Sequence, residues 1–127
     1  MLTRKISAVA IAGVLCIALS SCLRYDPTQI EITATIAEGV EIERTTVTVC
    51  RDTYDTNIAD RQISWGGEAS CEGGIVFTAT LADGQELASE AVYVANGYEY
   101  LNIDYNINMD SIDIVNYRIS TSDENNN

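Results

Sequence analysis

The chain of 127 residues contains no histidine, a single lysine, one proline, one tryptophan and one phenylalanine. Without histidine, the commonest general base near neutral pH is missing, and so is the commonest partner of cysteine in a zinc site. The only lysine is Lys5, so no amine side chain is available further on as a base or nucleophile. No Gly-x-Ser-x-Gly, Cys-x-x-Cys, Walker or dinucleotide fingerprint occurs. Carboxylates are plentiful enough to supply a glycosidase-type pair by residue type, but a domain this small leaves little room for a substrate cleft. The reading is therefore non-catalytic, with a small hydrolase as the remote alternative. Long apolar runs are also absent after the first 21 residues; nothing there approaches the roughly 20 apolar residues of a membrane-spanning helix.

The first 21 residues follow the order of a secretory signal. Arg4 and Lys5 are basic, Ile6 to Leu19 is apolar apart from Ser7 and Gly13, and Ser20 and Ser21 are small. The segment Leu19-Ser20-Ser21-Cys22 resembles the lipobox of bacterial prolipoproteins. The resemblance implies cleavage before Cys22, a diacylglycerol on its thiol and acylation of the new amine. Each buried CH₂ of those chains contributes about 0.8 kcal/mol, so two or three chains hold a protein firmly to a membrane. It also implies a place in the bacterial cell envelope, outside the cytoplasm. Leu23 follows the cysteine where an aspartate would mark inner-membrane retention, which favours the outer membrane if the cell is Gram-negative.

Removal of the signal leaves five arginines against 19 acids, a formal charge of −14. Nucleic acid and anionic lipid are poor partners for such a body, whereas a basic protein face or Ca²⁺ suits it. Of the four cysteines, Cys16 leaves with the signal and Cys22 takes the lipid. Cys50 and Cys71 remain as a pair in an oxidising compartment, where a disulfide is the default.

From Ile30 onward the pattern alternates with period two, and no segment sustains a helical period. Ile30, Ile32, Ala34 and Ile36 alternate with Glu31, Thr33 and Thr35, and Leu101, Ile103, Tyr105, Ile107 and Met109 with Asn102, Asp104, Asn106 and Asn108. Such alternation predicts half-buried strands. About seven are expected, over 30–36, 45–51, 60–65, 75–81, 88–95, 98–109 and 112–120. The fold class is all-β, a small antiparallel β-sandwich after an N-terminal signal helix. Strand number, domain length and a core tryptophan (Trp65) between two cysteines resemble an immunoglobulin-like sandwich. The Cys50–Cys71 spacing is much shorter than that of the antibody-type inter-sheet bridge. Residues 1–21 read as signal, 22–29 as the lipidated N-terminus and tether, 30–120 as the sandwich and 121–127 as a disordered polar tail.

Residues 31–49 align without a gap on 76–94 at an offset of 45. Thr33-Ala34-Thr35 matches Thr78-Ala79-Thr80, and Gly39 matches Gly84. Each copy reads as strand, acid-Gly turn, strand, which predicts two related hairpins.

Two groups of side chains are candidates for a site. Asp104, Asn106, Asn108 and Asp110, followed by Asp113, place oxygen ligands at alternate positions as a calcium loop does. Against this, Met109 occupies the place of the turn glycine, and the apolar residues between make the segment a better strand than a loop. Tyr93, Tyr98, Tyr100 and Tyr105 cluster around an Asn96-Gly97 turn and suit either a binding surface or cross-strand packing. The function expected from sequence is thus a lipid-anchored envelope protein whose domain is an interaction or structural module. The alternative is a Ca²⁺- or cation-dependent, adhesin-like surface protein.

Overall fold

The computed structural model describes residues 26–121. The expected signal segment, the expected acylation site Cys22 and residues 122–127 of the expected polar tail (121–127) lie outside the described residues.

Among the described residues ten strands follow one another: β1 (Thr28–Ile36), β2 (Ile42–Val49), β3 (Asp52–Asp55), β4 (Ile58–Ala59), β5 (Gln62–Ala69), β6 (Gly73–Leu81), β7 (Glu86–Ala88), β8 (Val92–Val94), β9 (Tyr98–Ile107) and β10 (Ile112–Thr121). β1 shows why the chain extends: Thr28, Ile30, Ile32, Ala34 and Ile36 are buried, while the residues between them are exposed or half-buried. In β9, Leu101, Ile103, Tyr105 and Ile107 do the same. Each isoleucine so buried contributes about 1.5–3 kcal/mol.

The strands form two sheets. One has the order β10-β9-β1-β5-β4, and the other β3-β2-β6-β7 with β8 also paired to β6. Every pair is antiparallel except β1–β9, which is parallel. The two sheets enclose a common core in which Phe77 of one stacks on Tyr105 of the other, with ring centroids 5.2 Å apart.

The all-β sandwich is thus the architecture, with three corrections of detail. Ten strands replace seven, because two tight turns at Cys50-Arg51 and Asp60-Arg61 split off β3 and β4, and because β7 and β8 are separate. Ser89 breaks those last two: its N–H bonds to the Phe77 carbonyl, and its hydroxyl accepts the Phe77 N–H at 2.9 Å, doing the work of a ladder residue. The strand order also differs from the antibody-type arrangement, in which the first two strands share a sheet. Here β1 and β2 lie in opposite sheets. Finally, the two copies of the internal repeat are not two hairpins. The second, β6 to β7 through Gly84 (φ 93°), is a hairpin; the first, β1 to β2 through Gly39 (φ 86°), crosses from one sheet to the other. A glycine with positive φ reverses the chain in both, but it does not decide which neighbour the next strand meets.

Cys50 and Cys71 are joined in a disulfide with Cα atoms 6.6 Å apart. The bridge ties the turn after β2 to the connection between β5 and β6. It stands at the end of the sandwich where β1 begins, since Thr28 pairs with Ala69 at the end of β5.

Candidate functional site

The outer face of the five-stranded sheet is a polar surface whose side chains bond across the strands. Strand alternation puts Gln29, Glu31, Thr33 and Thr35 of β1 on it, flanked in register by Glu68, Gly66, Ser64 and Gln62 of β5 and by Tyr100, Asn102, Asp104 and Asn106 of β9. These side chains are tied to one another across the strands. The Gln29 amide donates to Glu68 at 2.6 Å, the Tyr100 hydroxyl to Glu31 at 2.5 Å, and the Thr33 hydroxyl to Asp104. Asn102 donates to the Tyr100 hydroxyl at 3.4 Å, and Asn108 to Asp113 at 2.7 Å. Each such pair contributes a few tenths to about 1 kcal/mol, and together they fix the face's donors and acceptors in place.

The face is not flat throughout. Gly66 stands opposite Glu31 and offers no side chain, so a shallow groove of about 440 Å³ opens there, walled by Gln29, Glu31, Glu68 and Tyr100. A second hollow, about 730 Å³, lies beside the disulfide at the β1 end, with Asp52, Tyr54, Glu68 and Glu72 on its rim. Glu72 caps the neighbouring turn, accepting from the Tyr93 hydroxyl at 3.3 Å and from the Asn96 N–H at 3.2 Å.

The four tyrosines do not form one patch. The Asn96-Gly97 turn joins β8 of one sheet to β9 of the other, so Tyr93 is on the opposite sheet from the rest. Tyr100 reaches the outer face and Tyr98 packs against the core edge. Tyr105 is inside, 2% exposed, and takes no part in a surface. Its hydroxyl makes no hydrogen bond of good geometry. Burial pushes that hydroxyl above the usual tyrosine range, and the nearby Ser89 hydroxyl offsets the rise only in part.

Asp104 and Asn106 lie on β9, and Asn108 and Asp110 continue from it into the hairpin that leads to β10. On a strand, alternate residues advance about 6.8 Å, so these oxygens form a row rather than converge on one point. Asp104 accepts from Thr33, and Asn108 and Ser111 both donate to Asp113. Among the described residues no group of three or more acids, cysteines or histidines is placed to hold a metal.

The residues that the sequence reading passed over are Gln29, Glu31, Thr33 and Glu68. Their signal was present as the polar half of each alternating strand. Their pairing depends on β1 lying between β5 and β9, a non-local arrangement that alternation does not encode.

No known protein family matches the chain, and no curated protein does either. Among solved structures, the chain is similar to the NMR structure of a protein from Eubacterium rectale, with a TM-score of 0.45 and 11% identity over 76% of this chain and 90% of that one.

Proposed function

We propose that the protein is a lipid-anchored bacterial envelope protein, tethered through Cys22, whose sandwich binds another envelope protein through the outer face of its five-stranded sheet. The lipobox at Leu19–Cys22 supports the anchor, and Leu23 favours the outer membrane of a Gram-negative cell. β1 begins six positions after Cys22, a span of at most about 20 Å, so the domain stays close to the bilayer.

The observation that carries the binding reading is the set of cross-strand bonds joining Gln29 to Glu68, Tyr100 to Glu31 and Thr33 to Asp104. Side chains already held in one arrangement lose little freedom when a partner docks, which raises affinity for a given area. Glu31, Glu68, Asp104 and Asp113 outnumber Arg118 on this face, so the matching surface of the partner is basic. The domain acts by contact and performs no chemistry of its own.

The test is in-cell cross-linking of the full-length protein, followed by mass spectrometry of what co-purifies. One stoichiometric envelope protein is expected, and it should be lost from Tyr100→Ala and Glu31→Gln variants that remain folded. A partner retained by both variants would place the interaction elsewhere, and an empty result would end the dedicated-partner reading. The anchor is tested separately: Cys22→Ala should move the protein from the membrane fraction to the soluble one.

A further inference from the structure

β10 is the outermost strand of its sheet. One side pairs with β9, and the other pairs with no described strand. At ten residues it is also a long free edge, whereas β3, β4, β7 and β8 have between two and four residues each. A free edge presents a row of backbone donors and acceptors to any strand that can align with it. Side chains along β10 add to this: Val115 is 65% exposed and Tyr117 54% exposed, with Ile114 and Ile119 half-buried beside them.

The strand contains a bulge that sets its pairing rules. Ile114 stands opposite Tyr105 and Asn116 opposite Asp104, so Val115 is an extra residue. The insertion shifts the alternation by one. Asp113, opposite Asn106, and Arg118, opposite Asn102, therefore share the outer face although they are five positions apart. In an unbroken strand that odd spacing would put them on opposite faces. On the inner side, Ile112, Ile114, Tyr117 and Ile119 fall in line in the same way.

We propose that β10 pairs antiparallel with β10 of a second copy, about a two-fold axis lying between Val115 and Asn116. Antiparallel partners must share a face, and in a regular strand two-fold pairing requires partner numbers with an even sum. The bulge makes the sum odd for residues on either side of it. With a sum of 231, Asp113 meets the partner's Arg118, Ile114 meets the partner's Tyr117, and Ile112 meets the partner's Ile119, each pair occurring twice by symmetry. Shifting the register by two residues would put Asp113 opposite the partner's Asn116 or Ser120 instead. Charge complementarity thus selects one register, and a bulge that would spoil extension by a regular strand fits a strand carrying the same bulge. Arg118 is free for the role, since it makes no ion pair or side-chain hydrogen bond among the described residues. The two-fold axis is normal to the sheet, so the outer faces of both copies look the same way in one continuous ten-stranded sheet. Both tethers reach one bilayer when the two-fold axis stands normal to it. This assembly does not depend on the partner reading above.

The experiment is sedimentation equilibrium of the full-length protein in detergent over a range of concentrations. A dimer is expected. Arg118→Asp and Asp113→Arg should each weaken it about tenfold by setting like charges face to face, and the double swap should restore it to within about threefold. Asp113 also accepts from Asn108 and Ser111, so a melting curve accompanies each variant. If Asp113→Arg does not fold, Arg118→Asp and Tyr117→Glu, both at exposed side chains, carry the test and should each weaken the dimer. A protein that is monomeric at every concentration, a dimer indifferent to these changes, or a folded double swap no stronger than the single variants would overturn the proposal.

Discussion

Trp65 lies across Gly67, two positions further along the same side of β5, and its indole fills the space that a side chain at 67 would need. A Cβ there would stand 2.5 Å from Cη2 and 2.7 Å from Cζ2 of the ring. Tyr54 of β3 holds the indole from the other sheet, with centroids 5.5 Å apart, so these residues close one side of the core. Gly67→Ala should therefore displace the indole. Because Trp65 is only half-buried, the ring swings outward instead of distorting the sheet, and the cost should be about 1–2 kcal/mol. The check is a melting curve together with the fluorescence of the only tryptophan, which should shift to longer wavelength. A variant with parental melting and emission would mean that the indole does not rest on Gly67.

The disulfide closes a loop with a sequence separation of 21, for which chain entropy predicts about 3 kcal/mol of stabilisation. Reduction, or the Cys50→Ala/Cys71→Ala double variant, should lower the free energy of unfolding by about that much in a urea titration. Cys50 also holds a left-handed backbone, φ 61°, which disfavours any side chain. Cys50→Gly/Cys71→Ala should accordingly lose less than the double alanine variant, by about 0.5–1 kcal/mol. If the two variants melt alike, the turn does not keep that conformation without the bridge.

What the sequence made legible, and what it did not, divides along a physical line. Alternation is local, and it located β1, β2, β5, β6, β9 and β10 to within a few residues together with core positions such as Ile32, Ile103 and Ile107. Met109, expected on the same apolar row, is 62% exposed because β9 ends at Ile107. Turns were legible where glycine marks them, at Gly39, Gly84 and Gly97, all with positive φ. They were missed at Cys50-Arg51 and Asp60-Arg61, where residues with side chains take up the same left-handed conformation and carry no compositional signal. Sheet membership was not legible at all. Nothing in residues 31–49 says that β2 leaves for the opposite sheet while β7 folds back on β6, because that choice is made by distant partners. For the same reason the polar face was visible only as solvated positions, and its Tyr100–Glu31 and Gln29–Glu68 pairs were not.

Asp60 and Arg61 form the two-residue turn between β4 and β5, with φ of 52° and 63°. Such turns favour Asn-Gly, so the pair is locally unfavourable. Arg61 compensates through its guanidinium, which donates to the carbonyls of Ala37 and Val40 in the β1–β2 connection. The two positions should thus respond in opposite directions. Asp60→Asn should be neutral or stabilising by up to about 0.5 kcal/mol, because Asn accepts positive φ more readily. Arg61→Gly improves the turn but removes the guanidinium's bonds to both carbonyls, of which Ala37's keeps the Val40 N–H, and should lower stability by about 1 kcal/mol or more. Arg61→Gly more stable than the parent in a denaturant titration would show that the guanidinium contributes nothing.

Tyr105 couples the core to pH. Its hydroxyl is buried without a hydrogen bond of good geometry, and its pKa is raised above the usual 10.0 chiefly by loss of water, with Ser89 opposing in part. In the unfolded chain the same group ionises near the ordinary tyrosine value, so above that pH the unfolded state binds fewer protons than the native one. Stability is then fully present below about pH 10 and falls as the pH climbs from there towards the folded-state value. Tyr105→Phe removes both the titration and the unpartnered hydroxyl while keeping the ring on Phe77. At pH 7 it should be neutral or stabilising by up to about 1 kcal/mol, since it takes away a buried polar group that lacks a good partner. Between pH 9 and pH 11 its melting temperature should fall less steeply than that of the parent. A clear loss of stability at pH 7 would mean instead that the hydroxyl is bonded, with Ser89 the first acceptor to examine.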